Sequence, residues 1–124
     1  MHELGVVFHC IEELRALAAA HKLQRIRSVT IELGEVSTML PYYFEDCWKW
    51  AVQKETGPLK DTALVLEKID AVTHCDDCGQ DYPTVAHGKI CPFCASEHTW
   101  LLKGNELFIK EIEAVDLPPT TKGP

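Results

Sequence analysis

Two Cys-X-X-Cys pairs, Cys75-Asp-Asp-Cys78 and Cys91-Pro-Phe-Cys94, constrain this chain more than any other feature. Two intervening residues let each short turn aim both sulfurs at one ion. The twelve residues between the pairs bring the second turn opposite the first. Four thiolates at about 2.3 Å suit Zn(II), a soft-tolerant ion without redox chemistry of its own. Gly79 follows the first pair, where such a turn often requires positive φ, whereas Ala95 follows the second. Paired disulfides and a redox Cys-X-X-Cys are the competing readings. Two such motifs in one short segment satisfy a single metal better than two independent redox centres. Four cysteines also fill the coordination sphere, so the expected role is structural, with no open position for water or substrate.

Composition narrows the function classes. The chain has 124 residues, 46% hydrophobic and 25% charged, with no repeat or low-complexity tract. A chain of that length usually makes one domain. The formal net charge is −7, and within residues 74–98 Asp76, Asp77, Asp81 and Glu97 face only Lys89. A phosphate backbone demands Lys and Arg, so a nucleic-acid partner is not expected. No stretch reaches the length of a transmembrane helix, and Glu12 and Glu13 interrupt any signal-peptide core, so no membrane span and a cytoplasmic location are expected.

Along the chain, Leu4, Val7, Phe8, Ile11, Leu14 and Ala18 recur at helical spacing and predict a helix over 3–21, with His9 and Cys10 as ordinary packed or surface residues. Residues 25–33 alternate, with Val29, Ile31 and Leu33 on one face, and Gly34 ends this strand. A second helix is expected to be capped by Ser37 or Thr38, with Pro41 in its first turn and its end near Lys54. Its apolar stripe is Leu40, Phe44, Cys47, Trp48 and Ala51, widened by Tyr43 and Trp50. Strands follow over 63–69 and 106–113, and Thr99 to Leu102 reads as a strand leading out of the cysteine segment. The expected fold class is α+β. A three-stranded sheet with two helices forms a lobe from residues 1–70 and 105–115. An inserted zinc-ribbon lobe with the four cysteines spans 71–104, and residues 116–124 form a disordered tail.

The chain opens Met1-His2-Glu3. A free α-amine and an imidazole flank one backbone amide, and once deprotonated these nitrogens chelate one metal in adjacent square-planar positions. Ni(II) and Cu(II) favour that geometry with nitrogen donors. The triplet starts a predicted helix, whose leading N–H groups have no intrahelical partner, so losing amide protons there breaks no helical bond. The positive helix end favours the resulting anionic nitrogens. Taken alone, so short a triplet reads as an incidental N-terminal histidine.

The wider pattern resembles the HypA/HybF family of nickel metallochaperones. MHEL opens a helix, VTIELGEVS follows in a strand, PYYFED lies in the second helix, then come CDDCG and CPFC, and GNELFIKEIEAV closes the pattern. The resemblance implies nickel bound through the Met1 amine, the His2 imidazole and nearby backbone nitrogens, with Glu3 adjoining, and structural zinc on Cys75, Cys78, Cys91 and Cys94. It further implies a HypB-type GTPase partner, delivery of nickel to the [NiFe]-hydrogenase large-subunit precursor and, in some organisms, service to urease maturation. The departures are Ala95, where a glycine is common, and Gly5, where a serine is frequent; neither is a proposed ligand. His74 and His98 flank the cysteine pairs as hydrogen-bonding neighbours of the ligands, as alternate ligands when pH falls, or as plain surface residues. The main reading is a nonenzymatic metal carrier. The alternative is a zinc-ribbon scaffold for protein interactions, and no nucleophile–base pairing supports an enzyme.

Overall fold

A computed structural model describes residues 2–116, with the backbone alone at His2 and Asp116. Met1 and residues 117–124, which include nearly all of the expected tail, lie outside the described residues. The fold is α+β: among the described residues, helices α1 (His2–His21), α2 (Pro41–Gln53) and α3 (Thr84–His87) accompany strands β1 (Leu23–Gly34), β2 (Ala63–Ile69), β3 (Val72–Cys75), β4 (Asp81–Pro83), β5 (Thr99–Lys103) and β6 (Leu107–Asp116). Two three-stranded sheets form, ordered β2-β1-β6 and β4-β3-β5. The cysteine segment leaves from one edge strand of the first sheet, β2, and returns into the other, β6. The chain divides into two compact units, residues 1–31, 39–66 and 109–124 in the first and residues 32–38 and 67–108 in the second.

In the first unit the helical periodicity of α1 is realised as a buried stripe of Val7, Cys10, Ile11, Leu14 and Ala18. Lys22, at φ 56°, ends the helix in the left-handed conformation and turns the chain directly into β1. Ile26, Val29 and Ile31 of β1 are fully buried, as are Phe44 and Trp48 of α2 to within 1%. Each such side chain contributes about 1.5–3 kcal/mol relative to exposure. The polar groups in this core are paired: Trp48 Nε1 donates to the Thr62 carbonyl at 2.8 Å, and the Thr62 hydroxyl donates to the Ile26 carbonyl at 2.7 Å. Arg15 forks onto the Glu55 carboxylate, joining α1 to the segment after α2.

Two expectations about these helices need correction. Neither Ser37 nor Thr38 caps α2; the N-cap is Leu40, whose side chain makes no capping hydrogen bond. Its backbone N–H donates instead to the Glu3 carboxylate of α1, so the cap comes from another helix. The apolar stripes are also narrower than expected. Phe8, Leu40, Tyr43 and Trp50 stay 41–49% exposed, and Phe8 and Trp50 meet edge to face on the surface at 6.2 Å between centroids.

The second unit contains the β4-β3-β5 sheet. β3 pairs antiparallel with both neighbours, Thr73 opposite Tyr82 on one side and Leu101 on the other. Its buried cluster is small: Cys75, Tyr82 and Cys91. Val85, Ile90 and Phe93 are 53–64% exposed and add nothing to it. β3, β4 and α3 are too short to show a period in the sequence. Residues 34–36 tie down the chain where it enters and leaves the cysteine segment. Glu35 N–H donates to the Ile69 carbonyl at 2.8 Å, Val36 N–H to the Gly104 carbonyl at 2.9 Å, and Ala71 N–H to the Glu35 carboxylate at 2.8 Å.

That junction has no room for side chains. A Cβ on Gly34 would stand 2.0 Å from the Gly104 carbonyl oxygen, and one on Gly104, at φ 121°, would stand 2.4 Å from Ala71 Cα. Gly104→Ala should therefore lower stability by about 3 kcal/mol, combining overpacking with a backbone conformation that suits glycine. Gly5→Ala is the contrasting substitution: on α1 with nothing within 4 Å of the new Cβ, it should stabilise by about 1 kcal/mol through helix propensity. Urea unfolding midpoints measure both, and a neutral Gly104→Ala would refute the close approach.

Candidate metal centres

The two cysteine pairs fold into the same turn twice. In the first, Gly79 N–H donates to the Cys75 carbonyl at 2.8 Å and Cys75 N–H to the Gln80 carbonyl at 3.0 Å. In the second, Ala95 N–H donates to the Cys91 carbonyl at 2.8 Å and Cys91 N–H to the Ser96 carbonyl at 3.0 Å. Each turn is closed by a residue at positive φ, Gly79 at 76° and Ala95 at 63°. Alanine thus adopts the conformation that the sequence supplies with glycine in the first turn.

The turns bring four sulfurs together. Cys75 and Cys91 are buried, Cys78 and Cys94 exposed, and the four Sγ atoms lie within 4.8 Å of one another. Cys75–Cys94 and Cys78–Cys91 are each separated by 3.6 Å. A tetrahedral ion about 2.3 Å from each sulfur would set them about 3.8 Å apart, so the cluster fits such an ion with little movement. The thiols differ in acidity. Burial pushes Cys91 up, but the N–H groups of Phe93 and Cys94 and the neighbouring thiols outweigh it and bring Cys91 down to about 7. For Cys94 the Ser96 N–H pulls downward, yet burial and the other three thiols push it up to about 12.

A polar brace links the turns. Asp77, inside the first pair, accepts from the Ser96 hydroxyl and pairs with His98 Nδ1 at 2.9 Å, while the same hydroxyl accepts the His98 N–H at 2.9 Å. Ser96, then His98, hold the Asp77 carboxyl below its usual range, and Asp77 raises His98. His74 Nδ1 meets Asp81 at 2.6 Å and its ring lies against Trp100, whose Nε1 donates to Asp76 at 3.0 Å. Both histidines expected near the site therefore direct Nδ1 at a carboxylate. Sequence reasoning does not single out Asp77 and Ser96, although their places within and just after a cysteine pair are the available signal.

At the other candidate site, Met1 and the His2 side chain lie outside the described residues, and α1 begins at His2. Glu3 is 5% exposed, and its carboxylate accepts the Leu40 N–H at 2.9 Å. That hydrogen bond is the main cause holding the Glu3 carboxyl below its usual range. Cys10, 2% exposed on α1, is pushed up to about 11 by burial and is a core thiol rather than a nucleophile.

Since Ala95 carries a left-handed backbone that costs a residue with a Cβ about 1 kcal/mol, Ala95→Gly should raise the stability of the cysteine unit by about that amount. It should also slow metal loss to a chelator. Denaturant unfolding of the metal-loaded protein checks this, and a destabilised variant would contradict the strained-turn reading.

Comparison with known proteins agrees with this architecture. The family model for HypA, described as hydrogenase/urease nickel incorporation metallochaperone, matches residues 1–114. A hydrogenase maturation factor HypA of Trichodesmium erythraeum is 32% identical over 94% of this chain and 98% of its own length. One of Geobacter metallireducens is 29% identical over 91% and 98%. The solution structure of the Ni metallochaperone HypA from Helicobacter pylori superposes with a TM-score of 0.69 at 22% identity, covering 93% of this chain and 98% of that one, which extends the agreement to the fold. With its helical start, its two small sheets and its four-cysteine cluster, the chain belongs to the HypA family of nickel metallochaperones.

Proposed function

We propose that this protein captures Ni(II) at its N-terminus and hands it, with a HypB-type GTPase, to the [NiFe]-hydrogenase large-subunit precursor in the cytoplasm, acting as a carrier rather than an enzyme. The observation that carries the reading is that the family match begins at residue 1, so the Met1-His2-Glu3 start belongs to the matched pattern. Nitrogen donors from the Met1 amine, the His2 and Glu3 amides and the His2 imidazole would give a square-planar field suited to nickel. The amides lie in the first turn of α1, where the leading N–H groups are not part of the helix's own ladder, and ionising them leaves that ladder intact. An N-terminal chelate is open to solvent, and ligands can be exchanged one at a time onto a partner. Service to urease maturation is a second route that the family description supports.

We assign zinc to Cys75, Cys78, Cys91 and Cys94, on the fit of the sulfur spacings to a tetrahedral ion. Bound there, zinc supplies a cross-link and no reaction. Cys91→Ser should lose tight zinc binding and loosen residues 67–108, because Cys91 belongs to the small buried cluster there, with Cys75 and Tyr82. Metal analysis and amide NMR dispersion report the two effects. One zinc per chain retained at full strength in Cys91→Ser would show that the ligands are misassigned.

Nickel titration of protein with its native N-terminus tests the carrier reading. One site with a square-planar absorption band is expected. His2→Ala should abolish tight binding, and extending the chain before Met1 should weaken it nearly as much, because the amine becomes an amide. Binding releases protons from an amine with a free pKa of about 7.7–8.0 and from amides, so affinity should fall as pH falls. Unchanged affinity in both variants would move nickel elsewhere and favour the interaction-scaffold alternative.

A further inference from the structure

We propose that the cavity at the C-terminal ends of α1 and α2 receives an extended acidic segment of a partner protein, with carboxylates three residues apart. The cavity holds about 600 Å³, and none of its lining residues is a proposed metal ligand. Arg15, Ala19 and Lys22 form one wall, and Lys54, Glu55 and Leu59 stand on the other. Three of the lining side chains are cations and only Glu55 is an anion, a balance that runs against the chain's net charge of −7. The Glu55 carboxylate is already committed, because Arg15 Nε donates to it at 3.1 Å and Arg15 Nη2 to its other oxygen. That fork uses two of the five guanidinium N–H donors, and the Arg15 side chain stays 57% exposed. Among the described residues no hydrogen bond or ion pair engages the Lys22 ammonium. Lys54 Nζ lies 4.9 Å from the centre of the Trp50 ring, a cation–π contact that supplies no hydrogen-bond acceptor.

Lys22 and Lys54 also stand at helix C-termini, where positive charge suits the helix dipole. That role does not call for an open cavity. The last carbonyls of α2 moreover have donors of their own: the Lys54 N–H on Ala51, the Glu55 and Asp61 N–H groups on Val52, and Lys60 Nζ on Gln53. The floor between the cations is apolar, with Ala18 and Leu59 4% and 1% exposed. Spacing selects the occupant. Arg15 and Lys22 are seven positions apart, about two turns and roughly 10 Å along α1. A phosphate or a single carboxylate is too small to reach both. A chain in the polyproline II conformation puts residues i and i+3 on one side about 9 Å apart, and small apolar residues between them would lie over the floor. Carboxylates so placed would meet the open edge of Arg15 and the Lys22 ammonium in charge-assisted hydrogen bonds.

The experiment is amide NMR titration of the full chain with the blocked tetrapeptide Glu-Ala-Pro-Glu, with Gln-Ala-Pro-Gln and with inorganic phosphate. Glu-Ala-Pro-Glu should give saturable shifts confined to residues 15–23 and 54–59, and the other two should bind at least about tenfold more weakly. Lys22→Glu should weaken the acidic peptide by about tenfold or more. Lys49→Glu makes the same charge change beside another cavity, lined also by Glu45 and Asp61, and should alter binding by less than about threefold. Ala19→Leu fills the hollow without changing charge and should cost about tenfold. The amide spectrum shows whether each variant has folded, and Ala19→Leu keeps the question decidable should Lys22→Glu unfold. Equal losses in Lys22→Glu and Lys49→Glu would reduce the effect to net charge and overturn the proposal. So would phosphate binding as tightly as the acidic peptide, which would make this a site for a compact anion, or the absence of saturable shifts at these residues.

Discussion

Four sulfurs held within 4.8 Å of one another are an arrangement that apolar packing alone does not stabilise. As thiols they compete for protons, so that Cys91 falls to about 7 while Cys94 rises to about 12. As thiolates they repel. A divalent ion at their centre would remove the conflict. The apolar cluster is three residues, two of them sulfur ligands, and Ile90 and Phe93 face solvent. The order of this unit comes from hydrogen bonds instead: the repeated turn at each cysteine pair, the Asp77–Ser96–His98 brace, and the junction where Gly34 and Gly104 approach too closely for a Cβ. Each fixes backbone direction at a point where burial is absent.

The first unit is stabilised by the opposite means. Its helices and central strand bury Trp48, Phe44, Ile11, Leu14, Ile26 and Ile31 almost completely, and its few buried polar atoms are paired. Among the described residues its buried apolar core begins only at Val7, so the first turn of α1 contributes none of it.

Much of this was legible in the chain before any coordinates. The periodicity of Val7, Ile11, Leu14 and Ala18, the alternation of Val29, Ile31 and Leu33, and the cysteine spacing each carry one dominant signal, and each predicted element formed. What escaped was short or non-local. β3, β4 and α3 run three to four residues, below the length at which a period can be read. The α2 cap escaped because its acceptor lies 37 positions away, on Glu3, while Ser37 and Thr38 offered a plausible local cap. Helical phase places Phe8 and Trp50 with the core. That phase gives the side of a helix but not how far the neighbouring helix covers it, and these two rings cover each other at the surface.

Donor chemistry suggests how two metals could be kept apart on so small a chain. Six cysteines are present, and the two outside the cluster, Cys10 and Cys47, are 2% and 8% exposed. Cys10 is pushed up to about 11, so at neutral pH it is a thiol in a core and a poor ligand. The four ribbon cysteines, by contrast, lie close enough together to hold one ion, and four soft donors suit zinc. Nickel(II) in a square plane gains more from nitrogen, and the donors proposed for it are those of the Met1-His2-Glu3 start. Affinity order alone would not keep these metals in separate places, since nickel and zinc lie close in it. Separation has to come from geometry, and for the sulfurs that geometry is set by the positive-φ turns at Gly79 and Ala95.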